Sequence, residues 1–179
     1  MNEKTHTTKS TKIVQKENPI LRKKADPIPV EHITSKKIQQ VIADMKKALL
    51  GEKDGAAIAA PQIGVSLRIF VVSHKILSKH TEESDIDEDM VCINPEIIRM
   101  SKKKTLMDEG CLSVRGVYGI VPRAIRATLR AYNEKGESFT RGASGLLAQV
   151  FQHEIDHLNG TLFIDKAKSV WKTEDKPQK

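Results

Sequence analysis

From Ser144 to Asn159 the apolar residues Leu146, Leu147, Val150, Phe151, Ile155 and Leu158 recur at helical spacing, and the same stretch carries His153-Glu154-Ile155-Asp156-His157. Four residues are slightly more than one turn, so the imidazoles of His153 and His157 leave one face about 6 Å apart at Cβ. They can share one ion. Val150 and Leu146 lie one and two turns earlier on that face and turn it toward a packed interior. Unpaired imidazoles are costly there, and metal ligation removes the cost. Two histidines four apart also occur by chance on surface helices; the apolar neighbours are what favour a site. Glu154, one position round, stands beside such an ion, where a carboxylate handles the proton of an attacking water. Gly160 supplies the helix stop. Any fold for this chain has to enclose a helix whose buried face is chemically active.

A catalytic metal usually takes three protein ligands and keeps one position open. No histidine follows His157, Phe163 stands where the metzincin pattern has its third histidine, and the downstream Glu174 sits in a charged C-terminal stretch. The third ligand therefore comes from upstream. Cys111 ranks first, because thiolate binds iron, zinc and similar ions strongly and Glu109-Gly110-Cys111-Leu112-Ser113 reads as a tight, glycine-assisted strand segment. His74 ranks below it. Cys92, between Val91 and Ile93, reads as a small core residue, and His6, His32 and His80 lie in polar contexts.

The remaining chain reads as an α+β domain, with mixed or antiparallel β-sheets packed around the C-terminal His-Glu-x-x-His helix and a second helix near the N-terminus. That second helix runs from Thr34 or Ser35 to about Leu50, on the spacing of Ile38, Val41, Ile42, Met45 and Leu49. Leu67 to Ser73 reads as a buried strand and Glu82 to Asp89 as an acidic loop. Strand-like pieces follow at Val91 to Asn94, where Pro95 breaks the run, at Ile97 to Met100 and at Lys104 to Met107. Ala127 to Tyr132 and Ser138 to Arg141, joined by Asn133-Glu134-Lys135-Gly136, read as a hairpin. No repeat or linker divides the 179 residues. We expect a flexible arm over 1–11, one catalytic domain over 12–166 and a polar charged tail over 167–179.

Charge and composition exclude several functions. Thirty Lys and Arg against 23 Asp and Glu leave +7, but the cations are dispersed, and one Trp, two Tyr and four Phe are too few for a single-strand stacking platform. No specific nucleic-acid readout is expected. No apolar run approaches a membrane span and no secretory pattern opens the chain. Two cysteines fit a reducing cytoplasm.

Taken in order, Gly55-Ala56-Ala57-Ile58-Ala59-Ala60-Pro61-Gln62, Glu109-Gly110-Cys111-Leu112-Ser113 and Gln152-His153-Glu154-Ile155-Asp156-His157 resemble the three motifs of the peptide deformylase family. The resemblance takes in Asn18-Pro19-Ile20-Leu21-Arg22 and extends to about Asp165. It implies that Cys111, His153 and His157 hold one divalent metal ion, usually Fe2+ in the family and often replaced by Zn2+, Ni2+ or Co2+. The implied reaction is hydrolysis of the formyl group from the formylmethionine of nascent polypeptides, with contact to the ribosome surface a further expectation. Glu154 is implied as base and then acid, and the Gln62 amide and Leu112 N–H as donors to the carbonyl oxygen. Gly55, Ala56 and Ala57 would receive the substrate backbone, and Ala56, Leu146 and Val150 the methionine side chain.

The chain departs from that pattern at three places. Ala57 replaces a second glycine and Gln149 replaces an aliphatic residue. Tyr118 stands where a substrate-contacting arginine is common, leaving Arg115 as a substitute. Two other readings compete. One is a zinc endopeptidase, disfavoured by Phe163; the other is a deformylase-like protein that binds metal or peptide with weak or no turnover.

Overall fold

Ser35 ends the extended entry to the first helix and offers its hydroxyl to the Ile38 N–H, so α1 runs from Lys36 to Leu50, as its periodicity predicts. It buries Ile38, Ile42, Met45, Ala48 and Leu49. The computed structural model describes residues 12–78 and 88–175. The expected arm over 1–11 and most of the acidic loop, with His6 and His80, lie outside the described residues.

Eight strands form two antiparallel sheets. In chain order they are β1 (Ala57–Ala59), β2 (Ile69–Val72), β3 (Met90–Met100), β4 (Lys104–Gly110), β5 (Val117–Ala124), β6 (Arg126–Tyr132), β7 (Ser138–Ser144) and β8 (Ser169–Lys172). The five-stranded sheet has the order β1-β2-β3-β6-β7 and the three-stranded one the order β4-β5-β8. A short helix, α2 (His74–Leu77), follows β2, and the long helix α3 (Gly145–Leu158) follows β7. Ten of the residues of α3 are buried, so it is a central helix and not an amphipathic surface one. It packs on β1, β2, β3, β6 and β7 and also on β5, which places it between the sheets. Phe151 meets Phe70 of β2, ring centroids 6.2 Å apart. Just past the helix, Gly160 takes φ +74° against the Arg22 backbone, where a Cβ would lie 2.7 Å from the Arg22 oxygen. Only glycine satisfies both the left-handed turn and the close approach.

Three expectations change. Pro95 does not break its strand: β3 continues from Met90 to Met100, and its register with β6 shifts between Ile93 and Glu96, where Asn94 takes φ +49°. A bulge absorbs the residue that has no N–H to donate. Asn94 in turn exchanges two hydrogen bonds with the Ile28 backbone, anchoring the N-terminal segment to the sheet. The stretch 167–179, expected as a polar tail, contributes β8, whose Trp171 and Val170 stand opposite Tyr118 and Gly119 of β5. Four residues with polar ends carry little strand signal by themselves; the waiting edge of β5 supplies the pairing. The strands β1 and β5 are also additions, β5 being interrupted in sequence by Gly119, Pro122 and the charged Arg123. Among the described residues no helix is long and apolar enough to cross a membrane.

Candidate metal centre

Cys111 follows the last residue of β4, and α3 brings His153 and His157 to it from the other side of the core. Cys111 Sγ lies 3.2 Å from His157 Nε2, and ligand atoms of all three residues fall within 4.8 Å of one another. The two imidazoles are 4.9 Å apart at their centroids, at 77°. Among the described residues this is the group of His, Cys and carboxylates whose donor atoms converge in this way. One sulfur and two imidazole nitrogens around one point suit iron or zinc, so the residues fit the ion that their chemistry implies. His74 is engaged elsewhere, its Nδ1 2.9 Å from Asp89 Oδ1 at the start of α2. Cys92 is fully buried beside Phe70, Leu129 and Phe151, and burial pushes its thiol well up. Phe163, which occupies the metzincin ligand position in sequence, stacks on the His153 ring at 6.3 Å.

Orientation of His153 comes from a buried ionic chain that sequence reasoning missed. His153 Nδ1 lies 2.9 Å from Glu109 Oε2, which leaves Nε2 free to face Cys111 and His157. Arg123 donates to both Glu109 oxygens at 2.6 and 2.9 Å and to Asp156 at 2.7 Å; Asp156 also accepts from Lys166. The Arg123 side chain is 3% exposed and that of Glu109 is 2%. Burial raises the Glu109 carboxyl, but hydrogen bonds from Arg123 and His153 outweigh it and hold the group at about 2. Glu109 and Arg123 meet because alternation puts both on the inner face of the β4–β5 pair. A fully enclosed charge needs partners, but that requirement names none of them in sequence.

Gln62 sits in a single turn, Ala60–Ile63, and is 2% exposed. Its Oε1 accepts the Ala59 N–H at 2.8 Å, which directs Nε2 toward Ser113 Oγ at 3.2 Å and Cys111 Sγ at 3.6 Å. The Ser113 N–H also faces the sulfur, at 3.4 Å. Glu154 is 4% exposed, and its Oε2 has no hydrogen-bond partner among the described residues. Burial raises this carboxyl, against the opposing charge of His153, to about 7.

These groups border one cavity of about 620 Å³. Gly55, Ala56, Ala57, Gln62, Cys111, Leu112, Leu146, Val150, His153 and Glu154 line it, and His157 is buried behind them. Leu146 is at the exposed rim and Val150 inside. Gln149 also lines the cavity, but its Nε2 donates to the Asp108 carbonyl at 2.9 Å, so the amide ties α3 to β4. The wall is less polar than residue type alone indicates. Arg115 is held by Glu52 through two hydrogen bonds, at 2.6 and 3.2 Å.

Comparison with known proteins agrees with this arrangement. Residues 10–173 match the family model described as polypeptide deformylase. The peptide deformylase of Desulforudis audaxviator is 40% identical over 163 residues, covering 91% of this chain and 97% of that protein. The peptide deformylase of Halothermothrix orenii is 44% identical over 149 residues, covering 83% and 88%. Among solved structures, a peptide deformylase from Legionella pneumophila superposes with a TM-score of 0.76 at 38% identity, over 89% of this chain and 87% of that one. The Synechococcus elongatus enzyme in complex with actinonin gives 0.75 at 29% identity, over 94% and 85%. With the match running through both sheets and the helix between them, the chain belongs to the polypeptide deformylase family.

Proposed function

We propose that the chain hydrolyses the N-formyl group of the formylmethionine that begins nascent polypeptides, releasing formate and a free α-amino group. One observation carries this reading: an enclosed, unpartnered Glu154 carboxylate on the same cavity wall as the Cys111, His153 and His157 donors and the Gln62 amide. Cys111, His153 and His157 would hold one divalent ion, Fe2+ by preference and Zn2+, Ni2+ or Co2+ in its place. When bound, the ion supplies Lewis acidity and lowers the pKa of water toward neutrality.

The remaining work falls to the chain itself. β1 is the edge strand of its sheet and Gly55, Ala56 and Ala57 border the cavity, so an extended peptide has a backbone edge to pair with. Ala56, Val150 and Leu146 give the methionine side chain an apolar wall. Attack on the formyl carbon develops charge on its oxygen. Gln62 Nε2, fixed by the Ala59 bond, and the Leu112 N–H are the donors we assign to it. Glu154 accepts the proton of the attacking water and delivers it to the nitrogen as the C–N bond breaks. Gln62→Leu should lower kcat about 10²-fold with a smaller change in KM, because the donor acts mainly where charge develops. Equal losses in binding and turnover would assign Gln62 a structural role.

A formate-release assay on formyl-Met-Ala-Ser with anaerobically iron-loaded protein tests the function. Formate should appear without internal cleavage of the peptide; metal-loaded protein that releases none would refute the reading. Iron-loaded protein should also lose activity in air faster than nickel-loaded protein, since ferrous iron and the Cys111 thiolate both oxidise. Equal lifetimes would argue against iron as the working ion. The free cysteines and the nascent substrate place the enzyme, in our reading, in the cytoplasm near the ribosome surface.

A further inference from the structure

Gly110, Tyr118 and Trp171 stand directly opposite one another across β4, β5 and β8, so they share one face of the three-stranded sheet. Val121 and Arg123 occupy the opposite, buried face, which leaves Tyr118 on the outer one, 43% exposed. The Tyr118 and Trp171 rings stack with centroids 6.5 Å apart and planes at 22°. On its other side Tyr118 leans over Gly110, where a Cβ would fall 2.8 Å from the phenol ring. The ring is thereby held between a bare backbone and an indole. Gly110 and Tyr118 both border the cavity, and Gly110 immediately precedes Cys111.

Electrostatics on that rim favour an apolar guest. Arg115 is already engaged by Glu52, so its guanidinium is committed within the protein. Glu52, Asp54 and Asp108 border the cavity mouth against Lys53 and Arg115, which disfavours an acidic side chain. What the rim offers is a rigid aromatic surface, which binds apolar area at little conformational cost.

We propose that Tyr118, backed by Trp171, is a docking shelf for an apolar or aromatic side chain at the second or third residue of the substrate peptide. It rests on the deformylase reading and adds a sequence preference beyond the methionine. Tyr118 makes the contact, and Trp171 is a positioning residue that acts through it.

Trp171 is the chain's one tryptophan, so its emission reports on the shelf independently of turnover. The full metal-loaded chain is titrated with Met-Phe-Ala, Met-Ala-Phe and Met-Ala-Gly, and kcat/KM is measured for the formylated forms. At least one Phe peptide should change the emission where Met-Ala-Gly does not, and its formylated form should show a kcat/KM about three- to tenfold higher, mainly through KM. Tyr118→Ala should bring the ratio to near one, Tyr118→Phe should keep it, and Trp171→Leu should lower it part of the way. Emission unmoved by either Phe peptide at saturation, or an unchanged ratio in Tyr118→Ala, overturns the shelf. Absence of formate from every peptide counts against the deformylase reading, and the emission titration still decides the shelf.

Discussion

Glu154→Gln should keep its metal and lose turnover by on the order of 10³- to 10⁴-fold, the range of a general acid–base group that serves both halves of one reaction. The carboxylate faces the cavity while the three proposed ligands are supplied by other side chains, so replacing it by a near-isosteric amide spares the donor set. The amide cannot take a proton from water and return it to the departing nitrogen. Because that service is rendered at the transition state, kcat should fall and KM should change little. Elemental analysis beside formate kinetics checks both halves. A variant that loses its metal would make Glu154 a structural or ligating residue; one that keeps more than about a tenth of the activity would assign the proton to another group.

Arg123→Met should destabilise the fold by about 3–5 kcal/mol at neutral pH, the cost of stripping an enclosed charge of its partner. Two carboxylates, Glu109 and Asp156, lose the guanidinium they share, and Glu109 is also the group that orients His153. The loss should therefore appear in metal affinity as well as in urea unfolding. Glu109 titrates in the folded protein at about 2, below its ordinary 4.5, so its contribution is fully present above the higher value and fades as pH falls through the lower one. Without Arg123, burial acts alone and favours the protonated acid. The stability gap between wild type and variant should accordingly narrow between about pH 4.5 and pH 2. A gap that stays constant across that window would show that Glu109 is not the seat of the loss.

The helices were legible because their signals are local. Ser35 and Gly51 bound α1, and the spacing of six apolar residues marks α3, so neither requires knowledge of a partner element. The hairpin of β6 and β7 was legible for the same reason, through alternation around Asn133 to Gly136. Elsewhere the pairing partner decides. β8 is a strand because β5 offers it an edge, and β3 survives Pro95 because a bulge and the Asn94 bonds to Ile28 absorb the defect.

The candidate site divides along the same line. The sequence alone determined the pair of imidazoles on one helix face, the carboxylate beside them and the short list of thiols and histidines for a third donor, since a turn of helix and the chemistry of each side chain are local properties. Tertiary structure alone decided that Cys111 and not His74 closes the group, that Gln62 turns its amide toward the sulfur, and that Arg123 and Glu109 hold His153 in place. Those contacts join residues 14 to 49 positions apart in the chain. Burial and charge pairing demand that such partners exist, but only the packing of β4 and β5 against α3 selects which residues they are.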